Sequence, residues 1–207
     1  MTTSTARREQ RDASGTPVSA DSPRIPLRVA VVVASRHGST TGIAEAIRAQ
    51  LSNAGLRARL FVADDFHSFE GADAVVLGSA LYAGRWLNAA QELIDRHRTE
   101  LSKVPVWIFS SGPVGDPPTP TAETPEPVLR AAEAVGARDT RVFSGRLDHD
   151  LLGLGERTLM KAMRAPQGDF RDWSAIGDWA DGIAAELTGS ELPADADGPY
   201  IHALSAA

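Results

Sequence analysis

Six consecutive residues near the start of the chain combine hydroxyl groups, a histidine and a glycine directly before a predicted helix. They are Ser35, Arg36, His37, Gly38, Ser39 and Thr40. Backbone N–H groups and hydroxyl groups at a helix N-terminus converge on an anion, and the helix dipole favours its negative charge. Serine and threonine are also common N-cap residues. The segment therefore predicts either a phosphate site, or a capping box or ordinary strand–helix turn.

The spacing of this segment excludes two common nucleotide-binding patterns. It lacks the lysine and the second glycine of the G-x-x-x-x-G-K-[ST] loop, and it does not contain the G-x-G-x-x-G of dinucleotide folds. We therefore expect no hydrolysis of ATP or GTP.

A second segment, residues 79–86, has the sequence SALYAGRW and combines two aromatic side chains with a glycine. This combination suits a flat aromatic ligand, which needs a stacking face and a close approach of the backbone. Tyr82 is the better candidate for the stacking face, because Trp86 equally suits packing beneath the following helix. Arg85 could contact a phosphate or a negatively charged substrate, or lie in solvent.

A third segment, residues 110–115, has the sequence SSGPVG. Its glycines permit the backbone to approach the polar edge of a ligand. The alternative is an ordinary turn that leads into the proline-rich residues 116–127, a composition typical of a flexible connector.

Alternating strands and helices must position these three segments. The continuous β-branched run at 28–34 is typical of a strand buried on both faces. The patterns predict strands at 28–34, 57–62, 74–78, 104–110 and 140–143 and helices at 41–53, 88–101, 127–135 and 173–187. This alternation predicts an α/β fold with a five-stranded parallel sheet and helices on both faces. The strand order 2-1-3-4-5 would bring all three segments to one carboxyl edge, where ligands bind.

Composition limits the other function classes. The chain is 43% hydrophobic with a net charge of −6 and no basic stripe, so we expect a buried core and no nucleic-acid partner. The absence of cysteine excludes disulfides, thiolate metal ligands and cysteine nucleophiles, and no metal site is predicted. We expect a cytoplasmic protein without a membrane span, with peripheral membrane contact as an alternative.

The same composition divides the chain into three parts. Residues 1–26 are predicted to be a disordered arm, 27–187 a single domain, and 188–207 a flexible tail. An extra apolar and basic segment lies at 148–172 within the domain.

The chain resembles the flavodoxin superfamily over residues 28–187. The resemblance rests on SRHGSTTGIAEAI, GSALYAGRWLNAAQELI, FSGRLDHDLLGLGERTLMKAM and DWSAIGDWADGIAAEL. Within the superfamily, the chain is most similar to flavodoxin-domain proteins that include menaquinone-dependent protoporphyrinogen dehydrogenases. The resemblance implies the cofactor FMN and two-electron redox chemistry.

The FMN contacts that follow from the resemblance come from all three segments. They are Ser35, Arg36, His37, Gly38, Ser39, Thr40, Ala80, Leu81, Tyr82, Ala83, Gly84, Ser111, Gly112 and Pro113. The phosphate loop departs from the usual pattern in two places, because His37 stands where a hydroxyl residue is typical and Ser39 where asparagine often stands. No side chain is singled out as a catalytic acid or base.

The segment 148–172 distinguishes this chain from short electron-carrier flavodoxins. An apolar and basic helix there could cover the flavin, dock a quinone or lie on an anionic membrane surface, and the alternative is packing on the domain's own core. His149, between Asp148 and Asp150, could donate a proton or bind a metal, although a histidine in a polar loop commonly does neither.

The sequence therefore predicts an FMN-dependent oxidoreductase that passes electrons from a reduced substrate to a quinone or another acceptor, with a protoporphyrinogen dehydrogenase-like activity as its finer form. One alternative is a non-enzymatic electron carrier that serves partner proteins. Another is a flavodoxin-fold module that works without a cofactor as a sensor or scaffold.

Overall fold

The computed structural model describes residues 25–82, 84–112, 124–148, 150, 153, 155 and 167–189. Its strands are β1 (Arg28–Ala34), β2 (Arg57–Val62), β3 (Ala74–Tyr82), β4 (Arg85–Trp86), β5 (Val106–Ser111), β6 (Asp139–Phe143), β7 (Arg146–Leu147) and β8 (Gly168–Asp169). Its helices are α1 (Ser39–Asn53), α2 (Asn88–Leu101), α3 (Glu126–Val135) and α4 (Trp173–Thr188). The predicted arm at 1–26 and tail at 188–207 lie almost entirely outside these residues, so those boundaries stay predictions.

The main sheet has the order β2-β1-β3-β5-β6, and all four pairings along it are parallel. Counting only these five strands in chain order, the order is 2-1-3-4-5, so the predicted topology is confirmed. The short strand β4 pairs antiparallel with the end of β3, and β7 and β8 form a separate antiparallel pair.

Helices cover both faces of the sheet, and β1 shows why. Alternate side chains of a strand point to opposite faces, so a run of apolar residues buries both of them. One face packs against α1 and α4 and the other against α2 and α3. The β1 residues on the first face are Val29, Val31 and Val33, and those on the second are Ala30, Val32 and Ala34.

A glycine in the middle of β3 makes room for an aromatic side chain of β5. A Cβ atom at Gly78 would lie 2.0 Å from Cζ of Phe109, whose side chain is completely buried. The absence of a side chain at Gly78 therefore lets the Phe109 ring lie over β3, on the face of the sheet that packs against α1 and α4.

The boundaries of several elements differ from the prediction. Residues 79–82 were predicted as loop, but β3 continues to Tyr82 because its end pairs with β5 on one side and with β4 on the other. The strand predicted at 104–110 runs from Val106 to Ser111, after Pro105, which has no N–H to donate. Helix α1 begins at Ser39, two residues early, and the two-residue strands β4, β7 and β8 were not predicted.

Most of the extra segment predicted at 148–172 lies outside the described residues, including His149. The described residues of this segment are 148, 150, 153, 155 and 167–172, and the last of these ranges contains β8 and the residues that lead into α4. Within the described part of the chain, no helix is both long enough and apolar enough to cross a membrane.

Candidate functional site

The three segments singled out in the sequence meet at the carboxyl edge of the sheet. Ala34 at the end of β1 pairs with Ser79 of β3, and Ala80 pairs with Ser111 at the end of β5. Because these neighbouring strands are in register, the residues that follow β1 and β5 lie beside the end of β3.

The first segment passes into α1 through a glycine. Gly38 is the N-cap residue, with φ of +77°, a left-handed conformation that favours glycine, and no side chain caps the helix. The Gly38 carbonyl accepts a hydrogen bond from the N–H of Gly42 at 3.0 Å. No capping box is therefore present, and the first turn of α1 keeps N–H groups that a helix cannot satisfy internally.

Two hydroxyl groups of this segment are placed differently from each other. The Oγ of Ser35 is buried and has no hydrogen-bond partner among the described residues. The Oγ of Ser39 accepts a hydrogen bond from the backbone N–H of Arg146 at 2.7 Å, which leaves its proton available for donation. Thr40 is 1% exposed, and Nε2 of His37 is shielded from solvent.

Tyr82 is the last residue of β3, and its ring contacts Arg36 of the first segment. Tyr82 is 38% exposed, and the guanidinium carbon of Arg36 lies 4.9 Å from its ring centroid. Arg85 is the cross-strand neighbour of Tyr82 on β4 and is exposed, with Gly84 in the turn between them. Ala83 lies outside the described residues. One arginine therefore lies over the ring that the sequence predicted as a stacking face, and a second is its cross-strand neighbour.

Trp86 packs into the core. Of the two roles that the sequence left open for it, contact with a ligand and packing beneath the following helix, the structure shows packing. It is 4% exposed, and its Nε1 donates a hydrogen bond to Oγ of Ser110 at 2.8 Å. Nearby, Oγ of Ser79 accepts the backbone N–H of Leu87 at 3.1 Å. These buried hydroxyl groups hold the β3–β4 turn against β5 and the start of α2.

In the third segment, Ser111 is 5% exposed and Gly112 has a φ of +127°. The N–H of Gly112 donates to the carbonyl of Phe143 at 2.9 Å, so this N–H is used to hold β6. A Cβ atom at Gly112 would lie 3.6 Å from Cβ of Leu81. The rest of this segment, including Pro113, lies outside the described residues.

The structure brings two further residues to the first segment that the sequence reasoning missed. Arg146 reaches Ser39 through its backbone N–H, and Arg171 reaches the carbonyl oxygen of Ser39 with Nη1 at 3.4 Å. These contacts span 107 and 132 positions of sequence, and local patterns carry no signal for contacts of that range. Within the described residues, no group of three or more His, Cys, Asp or Glu side chains could hold a metal ion.

Comparison with known proteins gives one family match. A family model described as a flavodoxin domain matches residues 30–174. No curated protein matches the chain in sequence.

The fold of this chain is similar to those of several solved structures. A flavodoxin from the domain Archaea is 16% identical with a TM-score of 0.53, covering 78% of this chain and 99% of its own. A cysteine-to-serine mutant of the flavodoxin from Pseudomonas aeruginosa is 18% identical with a TM-score of 0.50, covering 79% and 100%. The rubredoxin oxygen:oxidoreductase from the anaerobe Desulfovibrio gigas is 14% identical with a TM-score of 0.55, covering 79% of this chain and 37% of its own. At these identities the likeness concerns the fold alone.

Proposed function

The chain belongs to the flavodoxin domain family, and from this premise we propose that it is an FMN-dependent oxidoreductase that passes electrons from a reduced substrate to a quinone or another acceptor. Membership of the family implies FMN as the cofactor and electron transfer to a redox partner as the activity. The proposal adds to this the class of acceptor and the residues that hold the cofactor.

The observation that carries the proposal is the buried hydroxyl of Ser35. A buried polar group without a partner costs free energy, about 1–3 kcal/mol, so such a group calls for a ligand. Ser35 Oγ lies at the end of β1, three residues before a glycine-capped helix whose first N–H groups attract an anion. The residues of this loop therefore fit the phosphate of FMN, and we assign that role to residues 35–40.

The other two segments fit a flat ring with polar edges. We assign the ring face to Tyr82 and its neighbours Ala80, Leu81, Ala83 and Gly84, and the polar edge to Ser111, Gly112 and Pro113. The Gly112 N–H is donated to Phe143, so the backbone contact to the ligand falls to other groups of the segment. Bound FMN would supply the electron-transfer chemistry, and the protein would bind, orient and shield it.

The charge around Tyr82 favours an enzyme over an electron carrier. Arg36 lies over the ring and Arg85 is its exposed cross-strand neighbour, although the chain as a whole has a net charge of −6. Electron-carrier flavodoxins dock their partners through an acidic surface, and a basic surround suits an anionic small substrate better. A protoporphyrinogen dehydrogenase-like activity is the finer form of the proposal, and the electron carrier is its alternative.

The test begins with the purified full chain incubated with excess FMN and freed of unbound flavin. The proposal predicts retained flavin absorption bands in the visible range, and a protein that stays colourless would overturn it. The loaded protein is then reduced anaerobically and mixed with menaquinone, with air as the comparison. Reoxidation by the quinone that is no faster than by air would remove the quinone acceptor, and a screen of protoporphyrinogen and nicotinamide donors identifies the reductant.

A further inference from the structure

We propose that Arg171 is a positioning residue for the phosphate loop, fixing the first turn of α1 through Ser39 so that its donors are arranged for an anion. This inference rests on the proposed FMN site and adds to it a residue that lies outside the three segments. Its role is geometric, because its charge is neutralised by a carboxylate.

The Arg171 guanidinium is held by a two-point contact with Asp169. Nε donates to Oδ1 at 2.7 Å and Nη2 donates to Oδ2, while the backbone N–H of Arg171 also donates to Oδ1 at 3.2 Å. The side chain is only 9% exposed. Such a forked pair fixes the guanidinium plane, which a lysine in this position would not reproduce.

The other side of the guanidinium contacts α1. Nη1 donates to the carbonyl oxygen of Ser39, and a Cβ atom at Gly42 would lie 2.4 Å from the same Nη1. The Trp173 ring supports the guanidinium from another direction, with 4.3 Å between Cζ and the ring centroid. The glycine at position 42, inside a helix, is thereby explained as the space that the guanidinium occupies.

Ser39 is held by Arg146 of β7 as well as by Arg171, which lies two residues after β8. Its hydroxyl accepts the N–H of Arg146, and Arg146 pairs with Asp169 across the two strands. The hydroxyl of the first residue of α1 is therefore held by β7, and its carbonyl is held by Arg171, whose guanidinium is fixed by Asp169 of β8. Gly38 and Thr40 adjoin Ser39. The direction of the hydroxyl and N–H donors around the predicted phosphate therefore depends on these two hydrogen bonds to Ser39.

The experiment perturbs the contact in two independent ways. Arg171→Lys keeps the positive charge but loses the fork, and Gly42→Ala keeps the arginine but fills its space. The matched control is Gly177→Ala in α4, where no atom lies within 4 Å of the added methyl group. Flavin fluorescence titration measures the affinity for FMN and for riboflavin, which lacks the phosphate, and thermal unfolding confirms that each variant is folded.

We expect both Arg171→Lys and Gly42→Ala to lower FMN affinity about tenfold or more, the effect of losing well-placed hydrogen bonds to a charged group. Riboflavin affinity should stay unchanged in both, and Gly177→Ala should change neither affinity. Folded variants with an unchanged ratio of FMN to riboflavin affinity would overturn the inference. If Gly42→Ala does not fold, Asp169→Asn replaces it, since it breaks the same fork.

A titration with inorganic phosphate, followed by the amide NMR shifts of residues 40 and 41, separates this inference from the proposed function. Phosphate binding that weakens in the variants, in a protein that binds no FMN, would support the positioning role and overturn the FMN assignment. If the protein binds FMN and the variants bind it as tightly as the wild type, the FMN assignment is supported and the positioning role is overturned. A protein that binds neither ligand would overturn both.

Discussion

The guanidinium of Arg36 lies over the ring of Tyr82, with 4.9 Å between its Cζ and the ring centroid. Arg36 belongs to the loop after β1 and Tyr82 ends β3, so the contact joins two of the three segments of the candidate site. It also places a positive charge beside the Tyr82 ring, to which we assign contact with the face of the flavin.

We expect Arg36→Gln to make the midpoint potential of the bound FMN more negative, because a nearby cation stabilises the reduced, more negatively charged cofactor. Because Arg36 is exposed, its interaction with the reduced flavin is worth about 0.2–1 kcal/mol, which corresponds to about 4–20 mV for a two-electron couple. Spectroelectrochemical titration measures the shift. Arg59→Gln is the matched control, since Arg59 lies 5.5 Å from the Phe61 centroid on edge strand β2. Equal potentials in the wild type and Arg36→Gln would contradict this account.

Ser110→Ala tests the hydrogen bond that holds the β3–β4 turn. The substitution leaves the buried Nε1 of Trp86 without its acceptor, and we expect a loss of about 1–3 kcal/mol in the free energy of unfolding. Urea denaturation measures this loss. Trp86→Phe in the Ser110→Ala background should cost less than it does in the wild type, because the two changes remove the same bond. Additive losses would show that the bond contributes nothing.

Gly78→Ala should destabilise the sheet by forcing a methyl group into Phe109. Overpacking of this kind costs about 1–3 kcal/mol, and a separation of 2.0 Å requires the aromatic ring to move. We expect Phe109→Leu to recover part of the loss in the double variant, although it destabilises the wild type. Thermal unfolding of the four proteins decides the matter, and a Gly78→Ala variant as stable as the wild type would refute the packing argument.

The pH dependence of stability should report the Asp169–Arg171 pair. The side-chain hydrogen bonds from Arg171 hold the pKa of Asp169 below its ordinary value of 3.8. A carboxyl group with a lowered pKa in the folded state stabilises the protein above the unfolded pKa, and this contribution is lost as the pH falls through the folded pKa.

The wild type should therefore exceed Asp169→Asn in free energy of unfolding at neutral pH, and the difference should shrink as the pH drops below about 3.8. Urea denaturation over a pH series gives the measurement. Asp95→Asn, in a surface pair with a carboxyl that is 73% exposed, is the control and should have little effect. A difference between wild type and Asp169→Asn that is independent of pH would contradict the assigned pair.

Local pattern was enough to predict the frame of this fold. The apolar run of β1 and the alternation of strands with helices predicted the parallel sheet, because burial on both faces leaves continuous apolar runs in the sequence. The strand order was predicted from the three loop segments and the flavodoxin-like pattern that they resemble. The predicted end of β3 was wrong because residues 79–82 are extended by pairing with β4 and β5. That pairing depends on the tertiary structure, and the local sequence pattern does not indicate it.

The site was predictable only in part for the same reason. The loop at residues 35–40 was recognisable because hydroxyl groups and glycine precede a helix. The hydrogen bonds from Arg146 and Arg171 to Ser39 were not recognisable, because they join residues more than 100 positions apart. The role of Trp86 was open in the sequence, because an indole serves equally well as a ligand face or as core, and only its hydrogen bond to Ser110 decides between them.

The central claim is that residues 35–40 bind the phosphate of FMN, and the most direct test compares FMN with riboflavin on the wild-type full chain. Equilibrium titration by flavin fluorescence gives both dissociation constants under one set of conditions. Hydrogen bonds to a charged group contribute about 1.5–3 kcal/mol each, so several of them predict FMN binding at least about 100-fold tighter than riboflavin, at one flavin per chain. Equal affinities for the two flavins would contradict the account.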